Sequence, residues 1–192
     1  MIKKIIPFIL VFILALSMYL MTKEQPKYNK YDGGDYSFKL NTINGQITNN
    51  DFKDKIVILF FGYMNCPDIC PTALTDINSA FKNLSEDEKK NIQVIFVSVD
   101  PSRDKLDKLD EYVKYFNSSF IGASSDEKTL KELTARFYAY YSYDKQKNSA
   151  VGYTVSHTTR IYLLNQTGNL VNTLETNKIK IELISNSIKE LL

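Results

Sequence analysis

The chain has 192 residues, of which 44% are hydrophobic and 24% charged, as in an ordinary globular protein of one domain. This composition argues against a disordered or a collagen-like chain. The formal net charge of +2 is accounted for by Lys3 and Lys4, so the remainder is neutral and nothing favours nucleic-acid binding. Two cysteines are too few for a disulfide-stabilised scaffold.

Residues 1–22 are predicted to form a transmembrane anchor or a signal. Lys3 and Lys4 precede 17 uncharged, mostly apolar residues, 5–21, which is close to the length that spans a bilayer. The candidate cleavage site Ala15-Leu16-Ser17 lies inside the apolar run, so an uncleaved anchor is favoured over a cleaved signal. Lysines before the anchor keep that end in the cytoplasm, which places the rest of the chain outside the cytoplasmic membrane.

Residues 23–35, with Pro26, Gly33 and Gly34, are predicted to be a linker, and residues 36–192 a single domain. Turn signals and apolar spacing predict, in chain order, a hairpin, a buried strand, a helix, a second buried strand, two helices, a second hairpin and a final helix. Their ranges are 37–47, 56–61, 71–81, 92–99, 104–116, 126–138, 159–174 and 178–192.

The two buried strands are continuous apolar runs, which is typical of parallel strands covered on both faces. A strand, a helix and a second strand in succession predict a parallel crossover, and the late hairpin adds antiparallel strands. We therefore predict an α/β domain of the thioredoxin-like type, with a central mixed sheet flanked by helices on both faces. Pro71 is expected to open the first helix and Asp104 to cap the helix over 104–116.

The two cysteines, Cys66 and Cys70, lie between the first buried strand and the helix that follows it. This position is at the carboxyl edge of the sheet, where α/β folds place their sites. Residues four apart share one side of a helical turn, and a helix amino terminus lowers a thiol pKa and supplies thiolate. The position supports thiol–disulfide exchange, although its usual spacing is one residue shorter, and it equally supports metal binding.

The only histidine of the chain, His157, is the candidate third metal ligand. It precedes the second hairpin, in a segment that a thioredoxin-like sheet brings beside the cysteine turn. Two thiolates and one imidazole suit Cu(I), and they can also hold Zn. On the residues alone, a histidine at a strand end that is satisfied by hydrogen bonds remains an equal interpretation.

The chain closely resembles the Sco/SenC family of copper chaperones from about residue 36 to 192. The resemblance is carried by three motifs in this order: Cys66-Pro67-Asp68-Ile69-Cys70-Pro71-Thr72, Ser98-Val99-Asp100-Pro101-Ser102-Arg103-Asp104, and His157 followed by Ile161-Tyr162-Leu163. Members of the family are membrane-anchored thioredoxin-like proteins that bind one copper through two cysteines and one histidine. The resemblance therefore implies Cys66, Cys70 and His157 as ligands of one copper ion, with Cu(I) favoured and Cu(II) as a second state.

The resemblance also implies a function and a location. It implies a chaperone in the bacterial inner membrane, facing the periplasm, that delivers copper to, or prepares, the copper A centre of cytochrome c oxidase subunit II. The alternative is a thiol–disulfide reductase in which Cys66 and Cys70 form a redox-active disulfide and keep the subunit II cysteines reduced. A metallochaperone is favoured over an enzyme, and an extracytoplasmic thiol reductant is expected as a partner.

Two residues depart from the usual family pattern. Met64 stands where the family often has Thr, and Ser156 stands where it usually has Asp. The absence of that Asp puts Cu(II) affinity and geometry in question more than Cu(I) binding. Arg103 is expected either to have a structural role or to pair with a carboxylate near the site or on a partner.

Overall fold

The structure, a computed structural model, describes residues 31, 33–145, 152–176 and 180–192. The predicted anchor or signal, residues 1–22, and most of the predicted linker lie outside these residues. In the described part of the chain, no helix is both long and apolar enough to cross a membrane. The described residues belong to one compact unit, Tyr31–Leu192.

A five-stranded sheet forms the centre of this unit. Its strands, in spatial order, are β5 (Ile121–Ala123), β4 (Ile92–Ser98), β3 (Ile56–Gly62), β8 (Arg160–Leu164) and β9 (Leu170–Glu175). β4 pairs in parallel with β3 and β5, whereas β8 pairs antiparallel with β3 and β9. The predicted mixed sheet is confirmed, with its parallel front and its late antiparallel hairpin.

The middle strand β3 is buried along its whole length, as its unbroken apolar sequence predicts. β3 and β4 run in parallel and in register, so that their last residues, Gly62 and Ser98, are paired. The carboxyl ends of the two strands therefore meet at the same edge of the sheet. The cysteine loop leaves β3 at this edge, and the segment that follows β4 leaves beside it.

Two further hairpins lie outside the central sheet. The first pairs β1 (Lys39–Thr42) with β2 (Gly45–Thr48) around the predicted turn at Asn44-Gly45. Gly45 has a φ of +114°, a conformation that favours glycine.

The second pairs β6 (Tyr141–Lys145) with β7 (Tyr153–His157), and the sequence analysis did not predict it. In the register of this hairpin, Tyr141 faces His157.

The helices are α1 (Ile69–Lys82), α2 (Glu86–Lys90), α3 (Leu106–Phe116), α4 (Glu127–Arg136) and α5 (Ile181–Lys189). α1, which carries Cys70, packs against α3 and α5. α2 was not predicted; it is a short helix whose Ser85 cap and Glu88 form a reciprocal capping box.

The predicted helices begin within three residues of their observed starts, and two of the differences concern residues near the cysteines. α1 begins at Ile69, two residues before Pro71, because proline is tolerated anywhere in a first turn, where the amide has no helical partner. α3 begins at Leu106 with Lys105 as its cap residue, so the prediction that Asp104 caps this helix is wrong. Asp104 is buried, and its carboxylate bonds to groups of the sheet edge instead of the helix amides.

Candidate metal centre

Both cysteines are positioned by the connection between β3 and α1. Cys66 is half-buried in the loop that follows β3, and Cys70 is fully buried in the first turn of α1. The backbone N–H of Cys70 donates to Sγ of Cys66 over 3.4 Å. An amide that has no partner within the helix is thereby used by a sulfur, which favours negative charge on that sulfur.

The space beside Cys70 depends on Gly62, the last residue of β3. A Cβ at this position would lie 2.7 Å from Sγ of Cys70 and 2.6 Å from the Phe96 ring. Separations below 3.0 Å require one of the neighbours to move, so only glycine lets the sulfur and the sheet edge approach this closely.

His157 comes from the separate β6–β7 hairpin, where it is the last residue of β7 rather than part of a loop. Its Nδ1 lies 3.1 Å from the carbonyl oxygen of Thr158, and this bond favours the tautomer that carries the proton on Nδ1. The Tyr63 ring contacts the imidazole edge-on, with centroids 5.7 Å apart and planes at 90°. Nε2, the other ring nitrogen, lies on the side of the cysteines.

The three side chains converge. Nε2 of His157 lies 3.6 Å from Sγ of Cys70, and the ligand atoms of Cys66, Cys70 and His157 all lie within 4.8 Å of one another. Sulfur and nitrogen ligands at about 2.0–2.3 Å from one ion are separated by about 3.5–4 Å, so a single soft ion fits with small adjustments. The structure thus brings together all three residues that the sequence analysis chose, and His157 does not use Nε2 for a backbone hydrogen bond.

The two thiols differ strongly in acidity. The hydrogen bond from the Cys70 thiol, assisted by His157 and by backbone amides, lowers the pKa of Cys66 to about 3 against the opposing effect of burial. The hydrogen bond to the Cys66 thiolate and burial raise the pKa of Cys70. At neutral pH the metal-free pair therefore consists of the Cys66 thiolate and the Cys70 thiol. The thiolate can bind a soft metal ion or attack a disulfide.

The segment 98–104, which follows β4, holds polar residues whose contacts the sequence analysis did not identify. Asp104 accepts hydrogen bonds from the backbone N–H of Met64 (2.9 Å) and the hydroxyl of Ser98 (2.6 Å). Burial raises the pKa of the Asp104 carboxyl. Asp100, also buried, forms an ion pair with Arg103 at 2.5 Å. Arg103 therefore pairs with a carboxylate of its own chain, which is one of the alternatives expected from the sequence. Two acidic residues and one arginine directly after a buried strand are the sequence signal for such a pair.

Met64 and Ser156, the two residues that depart from the family pattern, lie within two residues of a ligand in the chain. Met64 is partly buried and packs against the hydrophobic core, while its backbone bonds to Asp104. The hydroxyl of Ser156 donates to the carboxylate of Asp144 across the hairpin over 2.5 Å. Asp144 lies on the neighbouring strand, where it pairs with Thr154 in the register of the hairpin.

The chain is similar to members of one protein family in both its sequence and its structure. The sequence model of SCO1/SenC matches residues 24–192. An SCO2-like protein of Rickettsia conorii is 34% identical over 164 residues, which cover 81% of this chain and 78% of the relative. The solution structure of apo Sco1 from Thermus thermophilus has a TM-score of 0.75 at 33% identity and covers 81% of this chain and 90% of its own.

The structure of Bradyrhizobium japonicum ScoI with copper bound has a TM-score of 0.71 at 30% identity, over 81% of this chain and 98% of its own. These similarities confirm the predicted thioredoxin-like α/β fold with its central mixed sheet. The extent of the family match and the identity to its relatives show that the chain belongs to the SCO1/SenC family.

Proposed function

We propose that this protein is a copper chaperone that holds one Cu(I) ion with Cys66, Cys70 and His157. One observation carries the proposal: the two sulfurs and Nε2, brought from two separate parts of the fold, lie within 4.8 Å of one another. One thiolate, one thiol that loses its proton on binding, and one neutral imidazole form a soft set of ligands that suits Cu(I).

Related proteins support both copper as the bound metal and cytochrome c oxidase as its destination. The ScoI proteins of Bradyrhizobium japonicum and Arabidopsis thaliana have been solved with copper bound, and Sco proteins are cytochrome c oxidase assembly proteins. We infer that this chain delivers copper to, or prepares, the copper A centre of subunit II. We also infer that residues 1–22 anchor it in the bacterial inner membrane, that residues 23–35 tether the domain, and that the domain faces the periplasm.

The metal site is tested by titrating the reduced domain with Cu(I) in competition with a chromophoric Cu(I) chelator. One ion per chain is expected. Cys66→Ser or Cys70→Ser should lower the Cu(I) affinity far more than His157→Ala, because two sulfurs alone can still hold Cu(I). X-ray absorption of the loaded domain should show sulfur scatterers, and their absence would refute the assignment.

The destination is tested by mixing the copper-loaded domain with the copper-free soluble domain of an oxidase subunit II. Delivery requires that copper appears on subunit II while the number of thiols on both proteins is unchanged. Copper that stays on the donor under conditions where subunit II binds free Cu(I) would contradict delivery.

A second function, thiol–disulfide reductase, is favoured by the acidity of Cys66 and by the proximity of Cys70. In that reaction the Cys66 thiolate attacks a partner disulfide, and Cys70 then displaces the partner thiol. Cys66 and Cys70 become a disulfide, and the partner cysteines gain two electrons, one proton from Cys70 and one proton from solvent. The same mixture without copper distinguishes the functions: a reductase would lose two thiols while subunit II gains two.

A further inference from the structure

The segment 98–104 touches both halves of the metal centre. At one end, Asp104 accepts the backbone N–H of Met64 over 2.9 Å, two residues before Cys66. Asp100 and Arg103 of the same segment hold Tyr153, the first residue of β7. The segment is therefore a direct connection between the cysteine loop and the hairpin that carries His157.

Asp100 and Arg103 bind both the side chain and the backbone of Tyr153. Its hydroxyl donates to Oδ1 of Asp100 over 2.7 Å, and its carbonyl oxygen accepts from Nη1 of Arg103 over 3.0 Å. The Arg103 guanidinium also stacks on the Tyr153 ring, 3.8 Å from its centroid, while Nε pairs with Oδ2 of Asp100. Both oxygens of a fully buried carboxylate are thus engaged, which makes the arrangement geometrically specific.

The hairpin needs such an attachment. Among the described strands, β6 and β7 pair only with each other and not with the central sheet. Tyr143 adds a bond to the same segment, since its hydroxyl donates to the carbonyl oxygen of Val99 over 2.8 Å. At the opposite end, the hydroxyl of Tyr141 makes a longer bond of 3.4 Å to the carbonyl oxygen of Glu127.

We propose that Asp100 and Arg103 are positioning residues for the metal centre: they fix Tyr153, and through β7 they fix the position of His157 opposite the cysteines. Four residues of extended strand span about 13 Å, so a tilt of about 10° at Tyr153 moves the imidazole by about 2 Å. Such a displacement is enough to take Nε2 out of reach of an ion held by Cys66 and Cys70. The consequence for copper rests on the proposed function, whereas the positioning of His157 does not.

The positioning is tested on the metal-free domain by NMR. The ring signals of His157 are unambiguous because it is the only histidine, and the edge-on Tyr63 ring shifts them. In Arg103→Gln we expect this ring-current shift to disappear while the amide signals of the five-stranded sheet stay in place. Arg103→Lys, which keeps the charge beside Asp100 but loses the stacking and the planar fork, should give an intermediate shift.

The control is Arg136→Gln, because Arg136 bonds to Ser37 and Asp35 and not to the hairpin. It should leave the His157 signals unchanged. Should Arg103→Gln fail to fold, Tyr153→Phe removes only the hydroxyl bond to Asp100 and takes its place. Unchanged His157 signals in a folded Arg103→Gln, or in Tyr153→Phe where it takes that place, would overturn the proposal whatever the metal affinity.

The consequence for copper is measured as Cu(I) affinity in a double-mutant cycle. Arg103→Gln should weaken Cu(I) binding about tenfold, as residues that orient a ligand commonly do, and should have no further effect in the His157→Ala background. Equal losses in both backgrounds would show that Arg103 does not act through His157. A wild-type domain without Cu(I) affinity would refute the proposed function alone, since the NMR comparison still decides the positioning.

Discussion

Sγ of Cys70 lies 3.6 Å from Nε2 of His157, although the two residues are 87 positions apart in the chain. Cys70 belongs to the helix that follows the middle strand of the sheet, and His157 to a hairpin that pairs with no other described strand. An ion bound by both residues would cross-link the hairpin to the body of the domain. Metal binding and the stability of the hairpin should therefore be coupled.

Cu(I) loading should therefore stabilise the reduced domain and protect the hairpin in particular. At a free Cu(I) concentration of about 1,000 times Kd, the gain in the free energy of unfolding is about 4 kcal/mol. Hydrogen exchange should slow in β6 and β7 more than in β1 and β2, which lie apart from the ligands. His157→Ala should keep part of the global gain and lose the protection of the hairpin; equal protection in both proteins would contradict the cross-link.

Gly62→Ala should displace the Cys70 sulfur. The new methyl group would lie 2.7 Å from Sγ and 2.6 Å from Phe96, and overpacking of this kind costs about 1–3 kcal/mol of stability. Gly122→Ala is the matched control, since its methyl group would lie 2.8 Å from the backbone oxygen of Leu109, in contact with none of the three ligands. Thermal unfolding should show a loss in both variants, and chelator competition a loss of Cu(I) affinity in Gly62→Ala only.

The acidity of Cys66 should depend on its partner. Thiolate absorbance and alkylation rates of the metal-free domain should titrate far below the ordinary thiol pKa of 9.0, towards 3, mainly because the Cys70 thiol donates to the Cys66 sulfur. Cys70→Ala removes this donor and should raise the pKa of Cys66, whereas Cys70→Ser keeps a hydroxyl donor and should raise it less. Equal pKa values in the two variants would rule out the hydrogen bond as the cause.

The same lowered pKa predicts how stability varies with pH. Between about pH 3 and 9 the unfolded chain holds the Cys66 proton that the native state has released, so this contribution to stability grows with pH and is lost as the pH falls towards 3. Urea unfolding of wild type and of Cys66→Ser at pH 4 to 7 measures it. The wild-type free energy of unfolding should rise more steeply with pH; parallel curves would contradict the prediction.

Oxidation and copper binding should exclude each other. A disulfide between Cys66 and Cys70 consumes both thiolates, so the oxidised domain should bind Cu(I) weakly, and Cu(I) should protect the thiols from oxidation. The test is parallel loading of fully oxidised and fully reduced domain, with mass spectrometry of the thiol state. Equal uptake by both forms would show that the cysteines are not the principal ligands.

Tyr31, which precedes the predicted start of the domain at residue 36, should contribute to the stability of the folded unit. The hydroxyl of Tyr31 bonds to Oγ1 of Thr173 (2.8 Å), and its carbonyl oxygen accepts from the Tyr36 hydroxyl (3.0 Å). A chain that begins at Tyr36 should stay soluble but should unfold with about 1–2 kcal/mol less free energy than one that begins at Lys30. Equal stability by urea unfolding would show that these contacts contribute nothing.

Some features follow directly from local sequence. β3 and β4 were predictable because an unbroken apolar run has no stable place except inside a sheet, and the turn at Asn44-Gly45 because few sequences adopt its backbone conformation. Cys66 and Cys70 were recognisable as one site because they are four residues apart where a buried strand leads into a helix, although Cys66 itself lies in the loop before that helix. The choice of His157 followed from its being the only imidazole and from the family resemblance.

Tertiary packing decided the rest. The β6–β7 hairpin escaped prediction because each strand has only five residues, although Tyr141-Ser142-Tyr143 and Tyr153-Thr154-Val155-Ser156 do alternate. The pairing of the strands with each other and their attachment to Arg103 select their conformation. Asp104 has the chemistry of a helix cap, yet the sheet edge offers its carboxylate the Met64 amide and the Ser98 hydroxyl in a buried position. Local sequence determines which segments are buried strands and that two thiols lie close together between a strand and a helix. The distance between His157 and those thiols depends on contacts between residues far apart in the chain, which only the folded structure brings together.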